Sequence, residues 1–214
     1  GDELIADLGR VIVARSNGAD AGSAAALYER ILEEYPEFWG VRDALAGMLI
    51  SAGRMDEAIA EAEQALERIP ARKWTATAHA RTLLTLGHMQ AMAGRPEEGM
   101  ENLREAAALR PKDAVIRENL AVAMLQIEGN LDGAIEEAYA ALELAPGNHN
   151  LRFQLGGLEL QRGRADEAIA LFDELERLEP GVAARRQVIA NALREAGRNE
   201  DAKRFDDSRA PAGK

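Results

Sequence analysis

The sequence predicts an all-α solenoid of stacked helical hairpins, and three observations support this prediction. The aromatic content is 4% while Ala, Leu, Glu and Arg dominate, which favours helices over strands. A block of the form Gly-Arg-x-x-Glu-Ala recurs before an apolar helical stripe, as at Gly53–Ala58 and Gly163–Ala168. Five prolines end similar segments at spacings of 34, 41, 35 and 34 residues, which is typical of two-helix repeats. The prolines are Pro36, Pro70, Pro111, Pro146 and Pro180.

Each repeat is predicted to contain a first helix, a tight turn at glycine and a second helix that ends before the proline. Glycine adopts the left-handed conformation that ends a helix at little cost. Carboxylates such as Asp56 and Glu57 follow the turn and favour the positive end of the helix dipole, and Pro96 suits a first helical position. The predicted turn glycines are Gly53, Gly94, Gly129, Gly163 and Gly197.

Small residues recur at two positions of each repeat, five residues after the turn glycine and seven or eight before it. We expect them to let the two helices of a hairpin approach closely, despite the cost of mid-helix glycine of about 1 kcal/mol relative to Ala. Larger apolar residues are expected to fill the seam between repeats. The small residues are Ala24, Ala46, Ala58, Gly87, Gly99, Ala121, Ala134, Gly156, Ala168, Ala190 and Ala202, and the seam residues are Leu45, Leu86, Leu120, Leu155 and Ile189.

The predicted organisation is a single solenoid domain over residues 1–214, closed by a hairpin whose second helix is polar. A polar outer helix is what a terminal repeat needs, because no further repeat covers it. The predicted repeats are 3–36, 37–70, 71–111, 112–146 and 147–180, followed by the cap at 181–207 and a tail at 208–214.

The third repeat carries about seven extra residues after Pro70, which predict two additional helical turns at one edge of the stack. Trp74 lies in this insertion. It either packs on the preceding helix near Ile69 or serves as an edge anchor for a partner, because exposed tryptophan is favoured at binding hot spots.

The formal net charge of −11 argues against a nucleic-acid partner, which needs a basic surface. The charge falls in magnitude along the chain, from −8 over 1–70 to −3 over 71–146 and zero over 147–214. This gradient indicates either ordinary solvated helix faces or an acidic N-terminal half that steers a basic partner.

No apolar run approaches the roughly 18 residues of a membrane span, so we expect no direct membrane insertion. No stretch resembles a signal peptide, and the absence of cysteine does not choose between cytoplasm and periplasm. The chain opens at Gly1 rather than Met, which is compatible with a preceding segment or domain. The high Ala, Arg and Gly content indicates a bacterial source.

The pattern of reactive side chains predicts neither an enzyme nor a cofactor or metal site. The three histidines, His79, His88 and His149, have no cysteine and no suitably spaced carboxylate to complete a metal site. Adjacent carboxylates such as Glu136 and Glu137 lie on different sides of a helix and do not form an acid–base pair. Phosphate-binding loops and nucleophile elbows are also lacking, so no catalytic residue is predicted.

Several of these positions recur in the phase of the tetratricopeptide repeat family, which the chain resembles over about residues 5–207. The resemblance implies a right-handed superhelix of about five hairpins plus a C-terminal capping hairpin. Where the family pattern has tryptophan, the chain has Arg42, Leu83 or Arg152, and where it has tyrosine, Leu49, Gln90, Leu125 or Glu159. The matching positions include Leu86, Gly87, Gly94 and Pro111, and Leu155, Gly156, Gly163, Ala168, Phe172 and Pro180.

In this family the first helix of each repeat lines an inner groove that contacts the ligand. The resemblance therefore implies a groove for a peptide or amphipathic helix of a partner protein. Leu84, Met92 and Phe153 have a second interpretation as seam residues. The cations of carboxylate-clamp co-chaperones are missing, which argues against that function. The implied groove residues are Asp43, Gly47, Leu84, His88, Met92, Glu118, Asn119, Val122, Gln126, Asn150, Phe153, Gln154, Gly157, Gln161, Gln187, Asn191 and Arg194.

The predicted function is a protein-interaction scaffold or adaptor without enzymatic activity. Two alternatives remain open from the sequence. One is the recruiting region of a larger enzyme, such as the glycosyl- or sulfotransferases to which such repeats are fused. The other is a structural role in which the repeats self-associate into a homo-oligomer.

Overall fold

The computed structural model describes residues 21–35, 39–68, 75–180 and 183–206. Within these ranges eleven helices follow one another and pack as sequential hairpins, which confirms the all-α fold class. None of them is both long and apolar enough to cross a membrane. The helices are α1 Ala21–Glu34, α2 Trp39–Ser51, α3 Met55–Arg68, α4 Ala76–Met92, α5 Pro96–Leu109, α6 Ala114–Glu128, α7 Leu131–Leu144, α8 His149–Gln161, α9 Ala165–Leu178, α10 Ala183–Glu195 and α11 Asn199–Asp206.

The helices group into two compact units, residues 1–111 and residues 112–214. In the first unit α2 packs against α3 and α4 against α5 as hairpins, and α2 also contacts α1 and α4. In the second unit the hairpins are α6 with α7, α8 with α9 and α10 with α11, and α8 also contacts α7 and α10. Contacts between helices near in sequence are typical of repeat proteins. The single continuous domain over 1–214 stays a prediction.

The hairpin turns are built as predicted, because all five turn glycines have a positive φ between 64° and 85°. At the first turn, the Arg54 amide donates to the carbonyl of Leu49 at 2.8 Å. The amides of Arg95, Arg164 and Arg198 make the equivalent bond at 2.8 Å. These bonds satisfy carbonyls that a helix end otherwise leaves without partners.

The predicted small residues are buried wherever their side chains are described, and two glycines show why size matters. A Cβ added to Gly87 would lie 2.7 Å from the carbonyl oxygen of Gly99, so α4 and α5 touch through their backbones. A Cβ added to Gly156 would lie 2.3 Å from a ring carbon of Phe172. Both distances are shorter than real contacts allow, which explains glycine inside these helices.

The predicted seam residues form the core of the repeats. Each of the five is at most 6% exposed, and Leu155 and Ile189 are completely buried. Phe172 lies between Phe153 and Phe205, with ring centroids 6.2 Å from each. The packing of the last two hairpins therefore centres on this aromatic ring.

Arginines at the tryptophan position of the repeat pattern are buried rather than solvated. Arg42 and Arg152 are each 5% exposed. Arg42 donates to Glu61 at 3.3 Å, whereas Arg152 donates to the carbonyl of Pro146 at 2.7 Å. The Nη1 of Arg152 is buried and has no hydrogen-bond partner among the described residues. Burial of a guanidinium here was not predicted.

The described part of the insertion in the third repeat lengthens α4. Thr75 caps the helix, and α4 spans 17 residues where the other first helices span 13 to 15. This is about one additional turn, and residues 71–74 of the insertion lie outside the described ranges, so the second turn stays a prediction. Trp74, proposed as an edge anchor, lies outside the described residues.

Candidate functional site

An apolar cavity of about 330 Å³ opens between the first helices α6 and α8 of the second unit. Ala138 of α7 contributes to its lining, while α6 and α8 supply the rest. Glu118, Gln126 and Gln154 are its polar residues. The lining residues are Glu118, Ala121, Val122, Leu125, Gln126, Ala138, Leu151, Gln154, Leu155, Gly157 and Leu158.

The two walls of this cavity are tied together at one end by Asn148, which precedes α8. The side-chain oxygen of Asn148 caps α8 by accepting from the amide of Leu151 at 3.0 Å. The side-chain nitrogen of Asn148 donates to a carboxylate oxygen of Glu118 at 3.0 Å. Glu118 lies in the second turn of α6, so the N-terminal ends of both helices lie side by side.

Glu118 is the only charged residue that lines the cavity. Within the described ranges it makes no ion pair. Other carboxylates of the same unit are paired, such as Glu137 with Arg117 at 2.6 Å and Asp132 with Arg162 at 3.0 Å. An unpaired carboxylate beside apolar side chains can attract a cation from a ligand.

The structure brings together part of the groove that the resemblance implies. Glu118, Val122, Gln126, Gln154 and Gly157 all line the cavity, and Val122 is 40% exposed. These residues come from two helices that are adjacent in space and about 30 residues apart in sequence.

Other implied groove residues of this unit lie outside the cavity. Asn119 donates to the carbonyl of Val115 at 2.7 Å in its own helix. Phe153 is half-buried and packs on Phe172 of the same hairpin. Asn150 and Gln161 are exposed but do not line the cavity.

In the first unit the implied groove residues on α4 differ widely in exposure. Leu84 is 7% exposed, whereas Met92 is 72% exposed. His88 is half-buried, and this burial lowers its pKa. Asp43 on α2 accepts from the hydroxyl of Thr85 at 3.1 Å, while burial raises the pKa of its carboxyl.

On α10 the implied residues form an exposed polar network. Asn191 accepts from Gln187 at 3.1 Å and from Arg194 at 3.0 Å. Arg194 also forms an ion pair with Asp206 of α11. These side chains are therefore held by one another, in a place distinct from the apolar cavity.

A second cavity, of about 230 Å³, lies in the first unit between α1, α2 and α3. Glu29, Glu57 and Glu61 line it, over an apolar floor of Leu45 and Leu49. It was not predicted, because the family resemblance points only to first helices. Its carboxylates have partners within the protein. Arg54 pairs with Glu57 at 2.6 Å and with Glu29 at 3.7 Å. Glu61 pairs with Arg42 at 3.3 Å.

Six residues of the first cavity were not among the implied groove residues: Ala121, Leu125, Ala138, Leu151, Leu155 and Leu158. Ala121 and Leu155 were assigned to small and seam positions, and both are buried. Their apolar periodicity marks them as packed residues, and periodicity does not separate a seam from a partly open cleft.

No group of three or more potential metal ligands lies together among the described residues.

Sequence profiles of one repeat family cover most of the chain. One tetratricopeptide repeat profile matches residues 18–87 and 125–185, and a second matches residues 84–149. The chain belongs to the tetratricopeptide repeat family. Tetratricopeptide repeats are protein–protein interaction modules and are typically not catalytic. No curated protein matches the chain.

Solved tetratricopeptide repeat structures are similar to the chain over most of its length. A MamA structure from AMB-1 is 28% identical, with 77% of this chain and 91% of that chain covered and a TM-score of 0.56. MamA from Desulfovibrio magneticus RS-1 is 17% identical, with coverage of 84% and 96% and a TM-score of 0.64. YrrB, described as a TPR protein with an unusual peptide-binding site, is 20% identical, with coverage of 83% and 88% and a TM-score of 0.62. The last two similarities show the fold alone.

Proposed function

We propose that the chain is a non-enzymatic scaffold that binds a peptide or helix of a partner protein through its first helices. The cleft between α6 and α8 is the site that we assign to this binding. The observation that supports the proposal is the apolar cavity of about 330 Å³ lined by Val122, Gln126, Gln154 and Gly157. Its volume lies in the range of ligand pockets, and its few polar groups can orient a bound segment.

The exposure of apolar groups supports the same proposal. Val122 is 40% exposed at the cavity although it lies in the middle of α6. Covering such a side chain contributes about 25 cal/mol per Å² of apolar surface removed from water. The peptide-binding site named for YrrB is a precedent within the same fold. Seven other implied groove residues stay predicted contacts, although they lie outside the cavity. They are His88, Met92, Asn119, Asn150, Gln187, Asn191 and Arg194.

The experiment is capture of partner proteins on the immobilised chain, with Val122→Asp as the test variant. An aspartate at this position places a charge in the apolar cleft, so capture of the partner is expected to fall at least about tenfold. Val115→Asp is the matched control, because Val115 is 50% exposed on the same helix but does not line the cavity.

Leu84→Asp and Phe153→Asp are unsuitable test variants. Leu84 is 7% exposed and Phe153 packs on Phe172, so either change would damage the fold.

Equal capture by wild type, Val122→Asp and Val115→Asp would contradict the assignment of the cleft. Val122→Asp and Val115→Asp should both keep the helical circular dichroism signal of the wild type.

A further inference from the structure

We propose that the occupant of the cleft is a helical segment with two apolar side chains on one face and a Lys or Arg one turn away. The segment lies against Gly157, where its backbone approaches α8 closely. This inference rests on the proposed function and specifies the chemistry of the partner. Three features of the cleft support it, namely its length, its single charge and its glycine.

The length of the cleft fits two apolar side chains of a helix. Glu118 and Gln126 line opposite ends and are eight residues apart on α6, which corresponds to about 12 Å. Side chains at positions i and i+4 or i and i+7 of a helix are about 6 Å or 10 Å apart along its axis. Two such anchors therefore fit between the polar ends.

The lining favours a helix over an extended peptide. An extended segment exposes backbone amides and carbonyls that need partners when water is removed. Apart from Glu118, the cleft offers only the side chains of Gln126 and Gln154 for hydrogen bonds. A helix satisfies its own backbone and presents only side chains, as in other helix-in-groove complexes.

The charge of the cleft selects a cation. Glu118 is the one charged lining residue, and among the described residues only Asn148 bonds to it. A carboxylate that accepts one amide hydrogen bond keeps lone pairs for a second donor. The formal net charge of −11 adds a field of the same sign, which speeds the approach of a basic segment.

Gly157 indicates close approach of the partner. A Cβ added to the neighbouring Gly156 would collide with Phe172, whereas a Cβ added to Gly157 would meet nothing within 4 Å. Packing within the chain therefore explains Gly156 but does not explain Gly157. Glycine inside a helix is worse than Ala by about 1 kcal/mol, and close approach of a ligand backbone is a reason to accept that cost.

The test uses the full chain and a phage-displayed library of random 16-residue peptides as the probe. Enriched peptides are synthesised, and their affinities are measured by fluorescence anisotropy at two salt concentrations. We expect the enriched peptides to share two apolar residues at helical spacing with a Lys or Arg nearby. Their binding should weaken at higher salt, because an ion pair at a partly open site is screened.

Glu118→Lys tests the charge. The variant should bind the selected peptides at least about tenfold more weakly than wild type. A peptide whose Lys or Arg is replaced by Glu should regain affinity for Glu118→Lys and not for wild type. A damaged fold would not reverse the preference in this way.

Gly157→Ala tests the close approach. The added methyl should weaken peptide binding by about threefold to tenfold while it raises the melting temperature of the protein. Gly40→Ala is the control, because Gly40 lies in α2, its added Cβ also meets nothing within 4 Å, and it is not among the implied groove residues. The control should gain stability and bind the peptides as wild type does.

The outcomes separate this inference from the proposed function. Peptides that lose affinity with Val122→Asp but carry no cation, or bind Glu118→Lys equally, overturn the inference and leave the proposed function standing. Peptides that bind Gly157→Ala as tightly as wild type overturn the close approach to α8. A selection that enriches no peptide sensitive to Val122→Asp overturns both proposals.

Discussion

Two adjacent glycines in α8 have opposite roles, although their chemistry is identical. Gly156 faces Phe172 of α9, and Gly157 faces open space at the cleft. A mid-helix glycine thus marks a close internal contact only where an added Cβ would collide with a neighbour.

Alanine at these two positions should change stability in opposite directions. Gly156→Ala should lower the free energy of unfolding by about 1–3 kcal/mol, because the methyl overpacks against the Phe172 ring. Gly157→Ala should raise it by up to about 1 kcal/mol through helix propensity. Urea denaturation followed by circular dichroism measures both changes. The same sign for both variants would contradict the packing of α8 on α9.

His88 predicts a dependence of stability on pH. Burial lowers its pKa, so the folded protein favours the neutral imidazole more than the unfolded chain does. The stability contributed by His88 is therefore present above its ordinary pKa of about 6.5 and is lost as pH falls through the folded pKa.

The variant His88→Gln should remove this part of the pH dependence. Between about pH 7 and pH 5, the melting temperature of wild type should fall more than that of His88→Gln. Parallel melting curves for wild type and His88→Gln across this range would refute the effect of burial.

At the scale of helices, the repeats differ in how they satisfy an arginine near the start of the first helix. Arg42 bonds to Glu61 and Arg117 to Glu137, in each case across one hairpin. Glu61 and Glu137 both lie eight residues after their turn glycine, where the hairpin of α8 and α9 has Leu171. Arg152 consequently bonds to a loop carbonyl, and its Nη1 lacks a partner among the described residues.

Leu171→Glu should supply the missing partner of Arg152. The added carboxylate should couple favourably to Arg152 by about 1–3 kcal/mol, because charged hydrogen bonds at buried sites exceed neutral ones. A double-mutant cycle with Arg152→Leu measures this coupling in urea denaturation. A coupling energy near zero would show that α8 and α9 place these two positions out of reach of each other.

The junctions between hairpins are polar at the tyrosine position of the repeat pattern. Gln90 on α4 donates to Glu63 on α3 at 3.1 Å. Tyr139 on α7 bonds to Glu159 on α8, and burial, together with this carboxylate, raises the pKa of Tyr139 to about 12. Each pair bonds the second helix of one hairpin to the first helix of the next. Such bonds favour one register between successive hairpins.

At the scale of the whole molecule, each hairpin is stabilised mainly by its neighbours, so damage should remain local. In the second unit the last hairpin packs on its neighbour through the contact of Phe205 with Phe172, whose rings are 6.2 Å apart at 79°. Phe205 is 3% exposed although α11 is only eight residues long and Ala202 is its only other apolar residue.

Phe205→Ala should destabilise the last hairpin by about 3–5 kcal/mol, because it leaves a cavity beside Phe172. Hydrogen exchange should show the largest loss of protection in α10 and α11, with smaller losses in α8 and α9 and the least in α6 and α7. Val188→Ala is a control, since Val188 is 52% exposed on α10. Equal loss of protection in all six helices would contradict the expectation that each hairpin is stabilised mainly by its neighbours.

The all-α class and the position of the turn in each described hairpin followed from local sequence signals alone. Glycine with positive φ, carboxylates after the turn and proline after the second helix are local signals, so they act without knowledge of distant residues. The small and seam positions were also predictable, because a helix repeats its faces every 3.6 residues. The predicted turn glycines, small residues and seam residues agree with the structure at the positions it describes.

Which of the implied groove residues lie together depends on how the helices pack in space. Helical period assigns Leu84, Phe153 and Val122 to related faces, but their exposure depends on how closely the next helix packs. Phe153 packs against the Phe172 ring inside the hairpin, whereas the gap between α6 and α8 leaves Val122 exposed. The missing partner of Arg152 also became visible only in the tertiary structure, because it depends on the contact between two helices. Distances between helices arise from side-chain volumes summed over the whole interface, and no local sequence signal encodes them.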